Sequence, residues 1–290
     1  MYPPNCAGFG RVRHFYRYTN SLPIDPAQKA LGVGKTDLLR AQVFQLSACN
    51  WRCWYCFVDF PLLSADPNHA SWLTTDELVK LYADQHDRPQ VIDLTGGQPD
   101  LAPEWIPWMM RSLKGFGLDK STYLWSDDNL STDFFWRYLN EDDLELISSY
   151  HNYGRVGCFK GFDEVSFSYN TSAAPELFDQ QFILIKRLVY LGLDQYCYTT
   201  FTTPDIHIIK DKMARFVDRL QNIDPMLPLK TIPLEVKGFY ANSKRLAKTP
   251  SDIIENQYVA IDAWREELDR RYNNEQLSMN IADVRLKKQS

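Results

Sequence analysis

The sequence contains no apolar run long enough to cross a bilayer as a helix, no stretch crowded with basic residues, and only one close group of cysteines. Each absence weighs against a class of function. Without a run of about 20 apolar residues, no membrane span is expected. A formal net charge of −5 with acidic and basic residues interspersed leaves no electrostatic footprint for a nucleic acid. The start, Met1-Tyr2-Pro3-Pro4-Asn5-Cys6, has no basic segment followed by an apolar core and does not read as a signal peptide. A cytoplasmic protein in a reducing compartment is therefore expected, with six cysteines serving as ligands or thiols rather than in disulfides. Gly34-Lys35-Thr36 resembles the end of a phosphate-binding loop, but Lys29 stands where that loop needs a glycine. His207 and the other four histidines show no metal-ligand spacing.

What is present suffices for a large core, with 44% hydrophobic and 14% aromatic residues over 290 positions. That length fits one α/β barrel. Residues 1–40, with Gly8, Gly10, Pro23, Pro26, Gly32 and Gly34, read as an irregular extension. From Ala41 short β-rich runs alternate with helical ones, the pattern of βαβ units. Strands are expected at 43–46, 91–95, 121–125, 156–160, 196–201 and 231–237. Thr74 and Glu77 form a capping box that opens a helix. Helices are further expected from Glu104 to Phe116, from Asp133 to Ile147 with a break at Asn140, after Pro175 with Phe178, Phe182, Ile185 and Val189 on one face, and from Asp211 to Leu220. A final helix carries Ile254, Tyr258, Ile261 and Leu268, and the tail Arg285-Leu286-Lys287-Lys288 reads as a solvated end. The six repeats point to a partial (β/α)6 TIM-like barrel over 41–240, with 241–290 as a C-terminal helix and tail. Cys158 and Cys197 are expected to be buried on strands.

Cys49, Cys53 and Cys56 fall in Cys49-Asn50-Trp51-Arg52-Cys53-Trp54-Tyr55-Cys56, three thiols within eight residues. Thiolates are soft ligands for zinc and for iron–sulfur clusters. A closed structural zinc site needs four protein ligands. Three cysteines on a 4Fe-4S cubane instead leave one iron open. Cysteines buried as small hydrophobes would not need polar, turn-tolerant residues between them. Cys-x3-Cys-x2-Cys with an aromatic residue before the third cysteine closely resembles the signature of the radical S-adenosylmethionine (SAM) superfamily.

That resemblance implies a barrel of the radical SAM type, a 4Fe-4S cluster on Cys49, Cys53 and Cys56, and SAM on the open iron. Reductive cleavage of SAM would give a 5′-deoxyadenosyl radical that abstracts hydrogen from a substrate. Parallel α/β folds gather ligands at strand carboxyl ends, and the strand ends carry further matches. Thr95-Gly96-Gly97-Gln98-Pro99 resembles the family's Gly-Gly-Glu-Pro motif, which bonds the SAM amino group, with Gln98 in place of glutamate. Paired glycines allow close backbone approach. Asp127 and Asn129 line up with the Asp-Thr-Asn of enzymes that activate pyruvate formate-lyase, although adjacent carboxylates also suit a solvated turn. Lys160, before Gly161-Phe162-Asp163, matches a lysine that meets the SAM carboxylate, although a strand-end lysine also reaches solvent. Thr202, in Thr202-Thr203-Pro204, stands where such enzymes place a turn against the adenosine. Tyr55, with Trp51, Trp54 and Phe57, would shield the cluster from water. No catalytic side chain beyond these cofactor ligands is singled out. The implied partners are SAM, an electron donor such as flavodoxin or ferredoxin, and a partner protein supplying a glycine. The alternatives are radical modification of a small molecule or peptide and, from another class, a noncatalytic iron–sulfur or zinc module.

Overall fold

The computed structural model describes residues 11–287. The readings of Met1 to Cys6, Gly8, Gly10 and Lys288 lie outside the described residues. The described residues form seven strands alternating with helices, giving a mixed α/β architecture. The chain divides into two units. One is built on the described part of Met1–Cys49 with Phe60–Asp128 and Thr132–Val156, and the other on Asn50–Asp59, Asn129–Ser131 and the described part of Gly157–Ser290.

The first unit contains β1 (Val12–Tyr16), α1 (Ile24–Leu31), β2 (Leu38–Gln45), α2 (Thr75–Ala83), β3 (Val91–Thr95), α3 (Trp105–Gly115), β4 (Tyr123–Asp128), α4 (Phe134–Tyr138), α5 (Glu141–Ser149) and the start of β5 (Tyr153–Phe159). β2, β3 and β4 run parallel, with Val43 opposite Asp93 and Asp93 opposite Trp125. Every residue of β3 is buried, as befits a parallel strand covered on both faces. The capping box at Thr74 is present, and Asn140 caps α5 by accepting from the Asp143 N–H, so the expected break is a change of helix.

The irregular extension requires correction, because its described part holds a strand and a helix. β1 pairs antiparallel with β2, from Val12 opposite Gln42 to Tyr16 opposite Leu38, which makes seven strands rather than six. Only Phe15 of β1 is buried. An edge strand that buries one side chain, with Arg13 and His14 between its apolar residues, shows little hydrophobic period.

The second unit takes in the end of β5, α6 (Glu164–Thr171), α7 (Leu177–Tyr190), β6 (Gln195–Thr200), α8 (Ile209–Ile223), β7 (Thr231–Leu234), α9 (Ser243–Leu246), α10 (Asp252–Arg271) and α11 (Asn274–Leu277). β6 and β7 are parallel. The core here is aromatic. Phe159 meets Phe182 at 4.9 Å between centroids, Phe182 meets Phe178 edge-on at 5.3 Å, and Phe201 lies 5.6 Å from Trp264. Tilted and edge-on rings let the electron-poor rim of one ring face the π-cloud of the next. The apolar face of α7 is as expected. That of α10 is not, since Ile253, Gln257, Ala260, Ile261 and Trp264 are buried while Tyr258 is exposed. Gln257 accounts for the rotation, because its side chain bonds both the N–H and the carbonyl of Val236 and so belongs inside. β7 ends at Leu234, short of the expected 237. Cys158 on β5 and Cys197 on β6 are buried. No described helix is long and apolar enough to cross a membrane.

Candidate functional site

In the first unit the chain leaves β2 and forms the base of the cysteine loop. The Cys49 N–H donates to Leu63 O at 3.2 Å, the Ala65 N–H donates to Ser47 O at 2.7 Å, and Ala48 bridges to Ser64. The turn after β3 holds the same base from another side, with the Gln98 N–H donating to Ala48 O at 2.8 Å. A Cβ on Gly97 would stand 2.0 Å from Leu46 O and 2.6 Å from Ala48 O. Gly96 has φ +76, the left-handed region that glycine alone enters freely. The close approach that the paired glycines permit is thus to the chain's own backbone at the foot of the cysteine loop.

Gln98 is fully buried, and its Nε2 donates to Asp128 Oδ1 at 2.7 Å. Asp128 Oδ2 lies 2.8 Å from Arg155, which also pairs closely with Asp100 and sits 4.9 Å over the Phe135 ring. Burial alone would lower the Arg155 pKa, but the two carboxylates outweigh it and hold the guanidinium well above its ordinary value. Such a buried ionic group is tolerable only when each charge is paired. Pro99 is buried at the start of a short 3-10 turn through Leu101. Asp127 is half-buried, accepting from the Thr95 hydroxyl and, at 3.1 Å, from the Trp125 indole. Asp93, fully buried on β3, is held well above the carboxylate range by burial and by Asp127, against the pull of Arg13 at 3.5 Å.

In the second unit the loop from Asn50 onward is gripped by side chains. Asn129 Nδ2 and the Ser131 hydroxyl both donate to Asn50 Oδ1, at 3.2 and 3.0 Å. The N–H groups of Arg52 and Trp54 donate to the carbonyls of Thr171 and Asn170, each at 3.3 Å, and Trp51 packs edge-on to Phe167 at 5.3 Å. The Asn170 side chain ties three segments together. Its Oδ1 accepts from the Trp54 indole at 3.0 Å and from the Thr202 hydroxyl at 2.7 Å, while its Nδ2 donates to Lys160 O at 2.8 Å and Thr202 O at 3.0 Å. An indole only donates and a carbonyl only accepts, so the amide has one possible orientation and all four of its bonding positions are used.

Tyr55 receives a hydrogen bond from the Thr200 hydroxyl at 2.9 Å. Enclosure pushes its pKa above the ordinary tyrosine value, with Cys53 adding to the rise and Lys160 opposing it, so Cys53 and Lys160 each lie within electrostatic reach of Tyr55. The Lys160 N–H also donates to Gln181 Oε1 at 3.3 Å. Thr202 is fully buried, its hydroxyl engaged by Asn170. Among the expected residues, the second unit therefore groups Cys53, Tyr55 and Lys160, and binds Thr202 and Asn129 to the loop through amide contacts.

Sequence reasoning missed Asn170, Asn242, Arg245 and Thr200. The one local signal was the capping box of Asp163 and Ser166 that opens α6, four residues after β5 ends. Cys49, Cys53 and Cys56 are partly exposed, whereas Cys158 and Cys197 are enclosed, and no disulfide joins these five. Burial raises the Cys197 thiol well above its ordinary pKa. Among the described cysteines the donor set that can meet a soft metal is thus the loop trio. Among the described residues no three His, Cys, Asp or Glu side chains gather around one point as a single metal ion requires. A cubane spreads three thiolates over three irons and does not need that convergence.

No protein-family model and no curated protein sequence matches the chain. Its fold is similar to that of SuiB from Streptococcus suis, solved bound to S-adenosylmethionine, with 12% identity over 78% of this chain and a TM-score of 0.52. SuiB bound to the precursor peptide SuiA aligns over 74% of this chain at 14% identity and a TM-score of 0.44, covering 46% of its own length. The anSMEcpe structure with bound AdoMet aligns over 79% of this chain and 59% of its own, at 17% identity and a TM-score of 0.45. The chain spans about half of SuiB, 47%. At such identities the likeness is one of fold.

Proposed function

We propose that the chain is a radical SAM enzyme in which Cys49, Cys53 and Cys56 hold a 4Fe-4S cluster. The observation that carries this reading is the cysteine loop itself, three partly exposed thiols within eight residues on a backbone tied down on both edges. The fold likeness to a SAM-bound enzyme agrees with it. When bound, the cluster supplies the electron that splits SAM into methionine and a 5′-deoxyadenosyl radical.

The residues of the chain do the rest. Gly96 and Gly97 let the turn press onto the loop base, and Gln98 and Pro99 fix that turn in the interior. Lys160 offers an ammonium to the SAM carboxylate, and Asp127 and Asn129 supply polar groups after β4. Tyr55 and Thr200 close the space beside Cys53, with Trp51 and Trp54 keeping water out. As the specific reaction we take hydrogen abstraction from a glycine of a partner polypeptide, because the chain carries one cysteine group and no second that would serve an auxiliary cluster.

Protein reconstituted with iron and sulfide under anaerobic conditions should be brown, hold roughly four irons per chain, and release 5′-deoxyadenosine from SAM when reduced. Cys53→Ala should lose both iron and colour. Colourless wild-type protein with one tightly held zinc would sink the reading. Deuterium from a glycine-labelled partner protein should appear in 5′-deoxyadenosine, and label arriving only from a small metabolite would replace the activating role.

A further inference from the structure

Three consecutive carbonyls of the cysteine loop are taken by one short segment near the carboxyl end. Arg245 Nε donates to Trp54 O at 2.8 Å, Arg245 Nη2 donates to Cys56 O, and Asn242 Nδ2 donates to Tyr55 O at 3.2 Å. Asn242 is itself fixed, donating to Lys237 O at 3.0 Å and accepting from the Phe239 N–H at 2.7 Å. A planar guanidinium bonding through two nitrogens sets orientation as well as distance, which a lysine cannot do. It also brings a permanent positive charge to the carbonyl of Cys56, half-buried where water screens it less than at the open surface.

We propose that Arg245 tunes the reduction potential of the cluster held by this loop, an inference that rests on the functional reading above. One-electron reduction by an external low-potential donor adds one negative charge to the cluster. A fixed cation beside a ligand residue stabilises that added charge, so the potential lies higher than it would without Arg245. Net charge and hydrogen bonding around a cluster are the levers by which a protein sets its potential. Arg245 acts through the loop and is a positioning residue, not a group that touches substrate.

The test compares wild type, Arg245→Lys and Arg245→Gln, each reconstituted and titrated with a graded reductant followed by electron paramagnetic resonance, with iron content measured in parallel. Arg245→Gln should be harder to reduce by tenfold or more in the reduction equilibrium, about 59 mV toward negative potential for one electron. Arg245→Lys, which keeps the charge, should stay within tenfold of wild type. Equal shifts in both variants, or none in either, would overturn the proposal. Should Arg245→Gln fail to load, Arg245→Met takes its place as the neutral variant in the same comparison, and a shift beyond tenfold in Arg245→Lys rejects a charge effect in either case. Cluster uptake by the wild type judges the functional reading, and the difference among loaded variants judges this one.

Discussion

Asn170→Asp is nearly isosteric and changes only what one end of the side chain can donate. The two bonds accepted by Oδ1, from Trp54 and Thr202, survive the exchange, while the two donated by Nδ2, to the carbonyls of Lys160 and Thr202, are lost. Asn170 is fully buried, so both donors are lost from the interior. Leaving a buried group unsatisfied costs about 1 to 3 kcal/mol, which puts the loss at roughly 2 to 6 kcal/mol. That is a large part of the roughly 5 to 15 kcal/mol that holds a domain together. The effect also depends on pH. Burial and two facing carbonyl oxygens raise the pKa of the new carboxyl above its unfolded value of about 3.9. The folded state then binds the proton more tightly than the unfolded one. The ionisation penalty is absent below the unfolded pKa and grows as pH rises, by about 1.36 kcal/mol per unit, until the folded pKa is passed. Urea unfolding of metal-free wild type and variant, under reducing conditions at acidic and neutral pH, measures both effects. A difference below about 0.5 kcal/mol, or one that does not widen with pH, would refute the account of this amide.

Lys160→Ala should weaken SAM binding by about 1.5 to 3 kcal/mol, the worth of a charge-assisted bond, in calorimetry on reconstituted protein; unchanged affinity removes Lys160 from the site and leaves the cluster assignment standing. Gly97→Ala sets a methyl 2.0 Å from Leu46 O, so the turn must withdraw from the loop base; melting temperature and iron uptake should both fall, and wild-type values for both would show that the contact yields easily. Asp93 has its folded pKa raised by burial and by Asp127, so its ionisation opposes folding above the unfolded pKa and has no effect below it. Asp93→Asn, which mimics the protonated acid, should therefore be more stable than wild type at neutral pH and lose that advantage on acidification; a variant less stable than wild type at every pH would show that the Arg13 contact outweighs burial.

Where a structural rule acts between near neighbours, the sequence carried it. The Thr74 capping box, the helix change at Asn140 and the fully buried β3 ending in Gly96 and Gly97 all follow from residues within four or five positions of each other. β1 and α6 are different. β1 buries a single side chain and pairs its Arg13 with an aspartate 80 residues away. α6 exposes Val165 and is anchored by a cap and by Asn170, whose partners lie at positions 54, 160 and 202. No window along the chain contains those partners together, so no periodicity could announce them.

Gln98 shows the same limit from the other direction. As a departure from Gly-Gly-Glu-Pro it reads locally as a loss, an amide where a charged acceptor would grip an ammonium group more firmly. Its surroundings supply the reason. The side chain is fully buried and donates from Nε2 to Asp128, which with Asp100 already neutralises Arg155. A glutamate at this position would set a third carboxylate against one guanidinium in the interior, losing a donated bond and gaining a repulsion where burial makes both expensive. Gln98 is thus the residue that the Asp128 pair demands. Gln98→Glu should restore the glutamate of the Gly-Gly-Glu-Pro motif that this stretch resembles and yet destabilise this protein unless the carboxyl stays protonated, so the deficit should shrink as pH falls. Thermal unfolding of that variant across the acidic range tests the argument, and a glutamate tolerated equally at neutral and low pH would break it.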